Sequence, residues 1–265
     1  MASRRRSKKG KLPPLATLLT VGGGVAVGVV ALVLLAAGWS RYTGPAGADE
    51  PQRTFQPGKE KEEVKKEGGG FPIALVIRPT ELLEEPDGRR IARISTTTEY
   101  ESPRILPVVG ERPGWLRVIS TEVENGKTGW IPAEDVKVGD IPFSLRVDLS
   151  ERRIEVRRNG KTVRTFPTAV GQPQYPTPTG RFAVTDKLEV TDPASPYGCC
   201  ALALSGHQPE IKQGWSGGDR LAIHATPDPS SIGKAVSLGC MRAPTEDMLW
   251  MVDKVPTGTI VEIKN

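Results

Sequence analysis

A thiol and an imidazole set the chemistry open to this 265-residue chain. The apolar run Leu221-Ala222-Ile223 ends on His224, a Pro/Ser/Gly-rich loop spans 227–233, and the stretch closes on Ser237-Leu238-Gly239-Cys240-Met241-Arg242. A cysteine becomes a nucleophile when a base takes its proton, and imidazole is the usual base near neutral pH. Gly239, just before the thiol, lets backbone N–H groups approach a reacting carbonyl, and Arg242 offers a planar fork for a carboxylate. Together these residues suit acyl transfer through a thioester. The competing reading is a buried cysteine and a surface arginine in an ordinary β protein. A zinc site is poorly supported, because His207, His224 and Cys240 are too few and lack the compact spacing of structural zinc ligands.

These motifs resemble the signature of the L,D-transpeptidase (YkuD) family, a His, then P-x-SIG, then S-H-G-C-hydrophobic-R. On this sequence the pattern falls on His224, Pro229, Ser231-Ile232-Gly233 and Ser237 to Arg242. Tyr175-Pro176-Thr177-Pro178-Thr179-Gly180-Arg181-Phe182 resembles the family's TPTG-x-F segment, and Val147-Asp148-Leu149 through Asn159-Gly160 its opening hairpin. One position departs: Leu238 stands where the family usually has a second His. The resemblance implies Cys240 as nucleophile, His224 as base, the Ala225 carbonyl orienting the imidazole, and backbone around Gly239 holding the oxyanion. Arg242, Ser237, Tyr175 and Thr177 are the expected substrate contacts. It implies peptidoglycan stem peptides as substrate, 3→3 cross-links as product and carbapenem-type β-lactams as inhibitors, with no diffusible cofactor or metal. Two alternatives stay open: an L,D-carboxypeptidase that passes the same acyl-enzyme to water, and a non-catalytic wall-binding protein.

The elements that must position this pair occupy the second half of the chain. From Phe143, Leu145, Val147 and Leu149 alternate with Arg146, Asp148 and Ser150, the period-2 pattern of a half-buried strand. Ile154 and Val156 repeat it, Asn159-Gly160 makes a turn, and Val163 and Phe166 continue it. Further strands are expected over 181–186, 201–204, 221–224 and 259–263. One helix is expected, with Thr245 as N-cap, Glu246 and Asp247 in its first turn, an apolar side of Met248, Leu249, Trp250 and Val252, and Pro256 beyond its end. Residues 140–265 therefore read as a mostly β catalytic domain, a sandwich or barrel with few helices.

Residues 71–139 read as a smaller β domain. Short apolar runs (74–77, 104–106, 115–118, 129–132) alternate with the turn signals Pro86-Asp87-Gly88 and Asn125-Gly126. Trp115-x-x-Val118 and Gly129-Trp130-Ile131 resemble the recurring strands of a bacterial SH3-like barrel. Trp115 and Trp130 read either as core or as an aromatic platform for wall glycan or peptide.

The net charge of +5 belongs to the N-terminus. Residues 1–14 hold six basic side chains and no acid, leaving 30 basic against 31 acidic groups elsewhere. The folded part thus has no basic excess to suit nucleic acid. Leu15 to Trp39 carries no charge over 25 residues, enough to span the roughly 30 Å hydrocarbon core. With the basic tail on the cytoplasmic side, a single-pass membrane anchor at 15–39 is expected, a flexible linker at 40–70, and the remainder outside, facing the cell wall. The alternative is a cleaved signal peptide, which the length of the apolar run disfavours. The three cysteines leave at least one unpaired. Cys199 and Cys200 are expected as thiols, since bridging neighbours is strained.

Overall fold

Alternating burial along each strand builds two sheets in sequence. The computed structural model describes residues 70–211 and 218–265, which fall within one compact unit. The expected basic tail, membrane anchor and nearly all of the linker lie outside the described residues. No helix among the described residues is long and apolar enough to cross a membrane.

The first sheet contains β1 (Phe71–Val76), β2 (Thr80–Leu83), β3 (Arg90–Ile94), β4 (Ile105–Arg112), β5 (Trp115–Val118), β6 (Gly129–Pro132) and β7 (Val136–Ile141). All its pairings are antiparallel, in the order β3-β2-β6-β5-β4-β1-β7. Its core holds Ala74, Val76, Leu82, Ile94, Leu106, Leu116, Val118 and Ile131. β7 runs to Ile141 because Phe71 pairs with that residue. Asn125-Gly126 forms the tip of the β5–β6 connection, with Lys127 N donating to Glu124 O at 2.9 Å and Gly126 at φ +81°. Trp130 is only 3% exposed. The guanidinium carbons of Arg112 and Arg117 lie 4.6 and 5.8 Å from its ring centroid. Its indole is therefore a packed, cation-covered group and not an open platform.

The second sheet contains β8 (Phe143–Asp148), β9 (Arg153–Arg158), β10 (Lys161–Pro167), β12 (Gly180–Glu189), β13 (Cys200–His207), β14 (Arg220–His224), β16 (Met241–Arg242) and β17 (Ile260–Lys264). Their order is β10-β9-β8-β17-β12-β13-β14-β16, while β11 (Val170–Gly171) and β15 (Ala235–Ser237) pair separately in parallel. β12 turns the corner. Its first residues, Gly180 to Ala183, pair with β17. From Val184 on, across an irregularity between Val184 and Asp186, it pairs with β13. Strands that change partner through a bulge make sandwich corners, and side chains from both arms share one core, including Leu145, Val147, Ile154, Val261, Leu202, Ile223 and Met241. A bulge also moves Val163 off the pattern. The register of β10 on β9 slips between Thr162 and Arg164, which leaves Val163 48% exposed while Phe166 returns to the core.

Among the described residues there is one α-helix, α1 (Thr245–Lys254). Pro244 holds the N-cap position with no side-chain cap, so Thr245 is the first helical residue and not the cap. Proline removes its own N–H and sets an extended entry. Met248 and Met251, three residues apart, are the buried seam; Leu249, expected on the apolar side, is 55% exposed. All three cysteines are free.

Candidate active site

Strand register brings the thiol and the imidazole to one face. β14 and β16 pair in parallel, Ile223 with Met241 and His224 with Arg242. Ile223 and Met241 are fully buried in the core, so alternation turns Ala222, His224, Cys240 and Arg242 to the opposite face. Adjacent strands lie about 4.8 Å apart and same-face residues about 6.6 Å apart along a strand. His224 and Cys240 are therefore diagonal neighbours. Both line a cavity of about 130 Å³, together with Tyr197, Arg220, Leu238 and Arg242. A roomier cavity of about 220 Å³ lies between the two sheets, against Val109 on one and Arg146, Arg181 and Glu262 on the other. It contains no thiol and no imidazole, so the chemistry belongs in the smaller one.

The base is oriented from behind. His224 is 4% exposed, and its Nδ1 lies 2.5 Å from the Ala225 carbonyl oxygen. A carbonyl only accepts, so Nδ1 carries the proton and the Nε2 lone pair is left to take another. The Tyr197 ring packs edge-on against the imidazole, centroids 4.8 Å apart. Burial lowers the His224 pKa to about 4; the Ala225 carbonyl opposes that shift and the Arg242 charge adds to it. Burial pushes the Cys240 thiol up, against the pull of the Ala222 backbone N–H and the Arg242 charge. The thiol donates to the Arg220 carbonyl at 3.8 Å. At pH 7 the resting pair is thus a neutral thiol and a neutral imidazole in one cavity.

Stability carries the same signature. Unfolded histidine takes a proton below about 6.5, whereas folded His224 takes it only near 4. Between those values unfolding takes up a proton, so this site's contribution falls as pH falls. Its upper size is about 3 kcal/mol. Denaturant unfolding from pH 7 to pH 4 is expected to show that loss in the wild type and not in His224→Gln. Equal slopes for the two proteins would contradict it.

Cys240 stands on a turn whose carbonyls are all captured. Leu238 O accepts from Gln208 Nε2 at 3.3 Å, Gly239 O from Thr177 Oγ1 at 2.9 Å, and Cys240 O from Ser237 Oγ at 2.5 Å. Gly239 N donates back to Ser237 Oγ at 3.1 Å. In a trans peptide the N–H points opposite the C=O. With Gly239 O held beneath the turn, the Cys240 N–H points the other way, as an oxyanion donor must. Gly239 has φ +115°, and a Cβ there would come within 2.3 Å of Gln208 Nε2. Gly239→Ala is therefore expected to cost about 2 kcal/mol of backbone strain, seen as a fall in Tm of roughly 4–8 °C, and to depress activity further by displacing the turn. An unshifted Tm with full activity would refute the strain.

The structure gathers Cys240, His224, Ala225, Gly239, Ser237 and Arg242 around one cleft. Ser237 is 2% exposed, and its hydroxyl is committed inside the turn and not to substrate. Thr177 is not among the residues lining the cavity. It is 5% exposed, donating to Gly239 O and accepting from Gly171 N at 2.8 Å, which leaves its hydroxyl no donor to offer a ligand. Tyr175 is half-buried, closes a turn onto Gln172 O at 2.9 Å, and is not among the residues lining the cavity. Arg242 is half-buried, and its Nε is buried with no acceptor among the described residues. Leu238, 41% exposed, forms an apolar rim. Sequence reasoning missed Tyr197, Gln208 and Arg220. Arg220 is braced by Leu204 O and Thr185 Oγ1, each at 2.9 Å, and by Glu99 of the β3–β4 connection.

The YkuD model, the L,D-transpeptidase catalytic domain, matches residues 142–263. The YkuD protein of Bacillus licheniformis is 37% identical over 123 residues, 46% of this chain and 66% of that one. L,D-transpeptidase 1 of Mycobacterium tuberculosis is 28% identical over 137 residues, 49% of this chain and 53% of that one. A crystal structure of an L,D-transpeptidase from M. tuberculosis H37Rv aligns over 75% of this chain and 92% of its own at TM-score 0.42 and 19% identity. The chain thus spans 66% of the Bacillus relative's length and about half of the mycobacterial one's. A sheet corner at β12, His224 at the end of β14, Cys240 just before β16 and a glycine turn ahead of the thiol all lie within residues 142–263, the stretch that matches the YkuD L,D-transpeptidase catalytic-domain model.

Proposed function

We propose that the protein is a peptidoglycan L,D-transpeptidase that forms 3→3 cross-links through a Cys240 thioester. One observation carries the reading: His224, paired with Arg242 in the β14–β16 register, and Cys240, the residue just before β16, line one cavity. In the first half-reaction Cys240 Sγ attacks the amide carbonyl after the diamino acid of a tetrapeptide stem as its proton passes to His224 Nε2. The Cys240 N–H receives the oxyanion. Collapse breaks the C–N bond, and His224 returns the proton to the departing D-amino acid. In the second, an acceptor amine from a neighbouring stem attacks the thioester, its proton goes to His224, and the thiol is restored. The unpartnered Arg242 Nε supports a carboxylate contact for this side chain. Carbapenem-type β-lactams enter as acyl donors that Cys240 opens.

The same reading places the enzyme on the outer face of a bacterial membrane. Residues 15–39 are the single-pass anchor, 40–70 the linker towards the wall, and 71–139 an SH3-like domain. Incubation of the protein with tetrapeptide stems, followed by mass spectrometry, tests the function. The account expects dimers joined from diamino acid to diamino acid, with release of the terminal residue. Trimmed tripeptide monomer alone would overturn transpeptidation in favour of hydrolysis.

A further inference from the structure

Gln208 is a polar side chain that the chemistry above does not use, yet it is 2% exposed and directly behind the nucleophile. It follows β13, and its amide reaches three segments. Nε2 donates to Pro176 O at 2.9 Å and to Leu238 O at 3.3 Å, and Oε1 accepts from Glu210 N at 3.2 Å. A primary amide has two N–H donors, and both are engaged by carbonyls on opposite sides of the site. The Leu238 bond fixes the Leu238–Gly239 peptide plane, and with it the Gly239 N–H that Ser237 Oγ accepts. Thr177 fixes the next plane, Gly239–Cys240. Gly239 between them has no Cβ to limit its rotation, so these two bonds set the aim of the Cys240 N–H.

Gln208 is anchored in turn from the first sheet. The residue before it, His207, is clasped on both backbone groups by one side chain: Asn125 Nδ2 donates to His207 O at 2.6 Å, and His207 N donates to Asn125 Oδ1 at 2.9 Å. The ring adds a contact from Nε2 to Thr121 O at 2.9 Å. Asn125 thus acts as a one-residue strand partner for the end of β13, and the β5–β6 connection that carries it belongs to the neighbouring sheet.

We propose that Gln208 is a positioning residue for the oxyanion donor of this acyl-transfer site, and that Asn125 of the first sheet holds it in place; the inference rests on the acyl-transfer reading above. On this account the first sheet builds part of the active site in addition to whatever it binds. Gln208→Met keeps the length and volume and removes both donated bonds, and Asn125→Ala removes the clasp.

Two small probes separate aim from thiol reactivity. p-Nitrophenyl acetate transfers its acetyl group to Cys240 Sγ through an oxyanion, with p-nitrophenolate leaving. Iodoacetamide alkylates the same sulfur with loss of iodide and forms no oxyanion. Both are read on the Cys240 peptide by mass spectrometry in the full chain. Gln208→Met is expected to lower the acetylation-to-alkylation ratio about tenfold, short of the ~10²–10³ lost with an oxyanion donor outright, with the pH profile of alkylation unmoved. Asn125→Ala is expected to lower the ratio in the same sense but less. The double variant is expected to match Gln208→Met alone, because both act through one bond.

An unchanged ratio in Gln208→Met, a parallel fall in both reactions, or additive effects in the double variant would each overturn the proposal, as would a wild type that Cys240 acetylation does not mark. Should Gln208→Met fail to fold, the Asn125→Ala ratio decides. Neither probe is a wall peptide, so a failure to cross-link stems would remove the transpeptidase reading and leave this ratio to be judged separately.

Discussion

Replacing Cys240 by alanine is expected to cut product formation from stem peptides by at least about 10⁴-fold, the scale on which an acyl-transfer site loses its nucleophile. The sulfur has no substitute within reach. The neighbouring hydroxyl of Ser237 donates to the Cys240 carbonyl and accepts from Gly239, and so is locked into the turn. Cys199 and Cys200 lie elsewhere: Cys200 is 3% exposed in the core, and burial beside Cys199 pushes its thiol up to about 12. Neither lines the cavity. The melting transition should move little, since Cys240, just before β16, lines the cleft while Met241 holds the core side. Product yield is read by mass spectrometry under matched protein concentrations. A Cys240→Ala protein with a tenth or more of wild-type activity would place the reaction on another group.

His224→Gln is expected to lower the acylation rate by about 10²–10⁴, the usual span for a general base. The effect is large because neither partner is ionised at rest. Burial holds the imidazole neutral down to about 4 and holds the thiol above its ordinary range. A preformed thiolate would react without a base in contact; a neutral thiol does not. The pH profile distinguishes the two cases. For the wild type the acid limb of acylation should lie well below the ordinary histidine value, towards 4. In His224→Gln the residual rate should rise with pH through the range in which the thiol itself ionises. An acid limb near 6.5, or a variant as fast as the wild type at pH 7, would contradict the neutral pair.

The site was legible where chemistry depends on residue type and short spacing. A histidine ending an apolar run and a Gly-Cys pair sixteen residues on mark adjacent strands. The register of Ile223 with Met241 and His224 with Arg242 explains why that spacing works. The supporting groups were not legible, because their partners come from far along the chain. Gln208 meets Leu238 thirty residues away, and Asn125 meets His207 from another sheet. Nothing in the local pattern around Gln208 marks it as different from any polar residue after a strand.

The family resemblance marks Thr177 and Ser237 as substrate contacts. Both instead satisfy backbone groups of the nucleophile turn, where a buried hydroxyl must find partners. The fold shows the same division. Alternation located β8 and β9 within a residue or two, and the expected run over 201–204 marked only part of β13, which extends to His207; the bulge that turns out Val163 and the irregularity that bends β12 leave no periodic trace. Trp130 reads either as core or as an open platform; it is buried, and Arg112 and Arg117, placed by the β4–β5 hairpin, cover it.

Intact-protein mass spectrometry after exposure to a carbapenem, with peptide mapping, tests the central claim most directly. The account predicts one adduct of the full carbapenem mass, located on Cys240, formed slowly in His224→Gln and absent from Cys240→Ala. An adduct on any other residue, or a folded wild-type protein that stays unmodified from acid to alkaline pH, would contradict it.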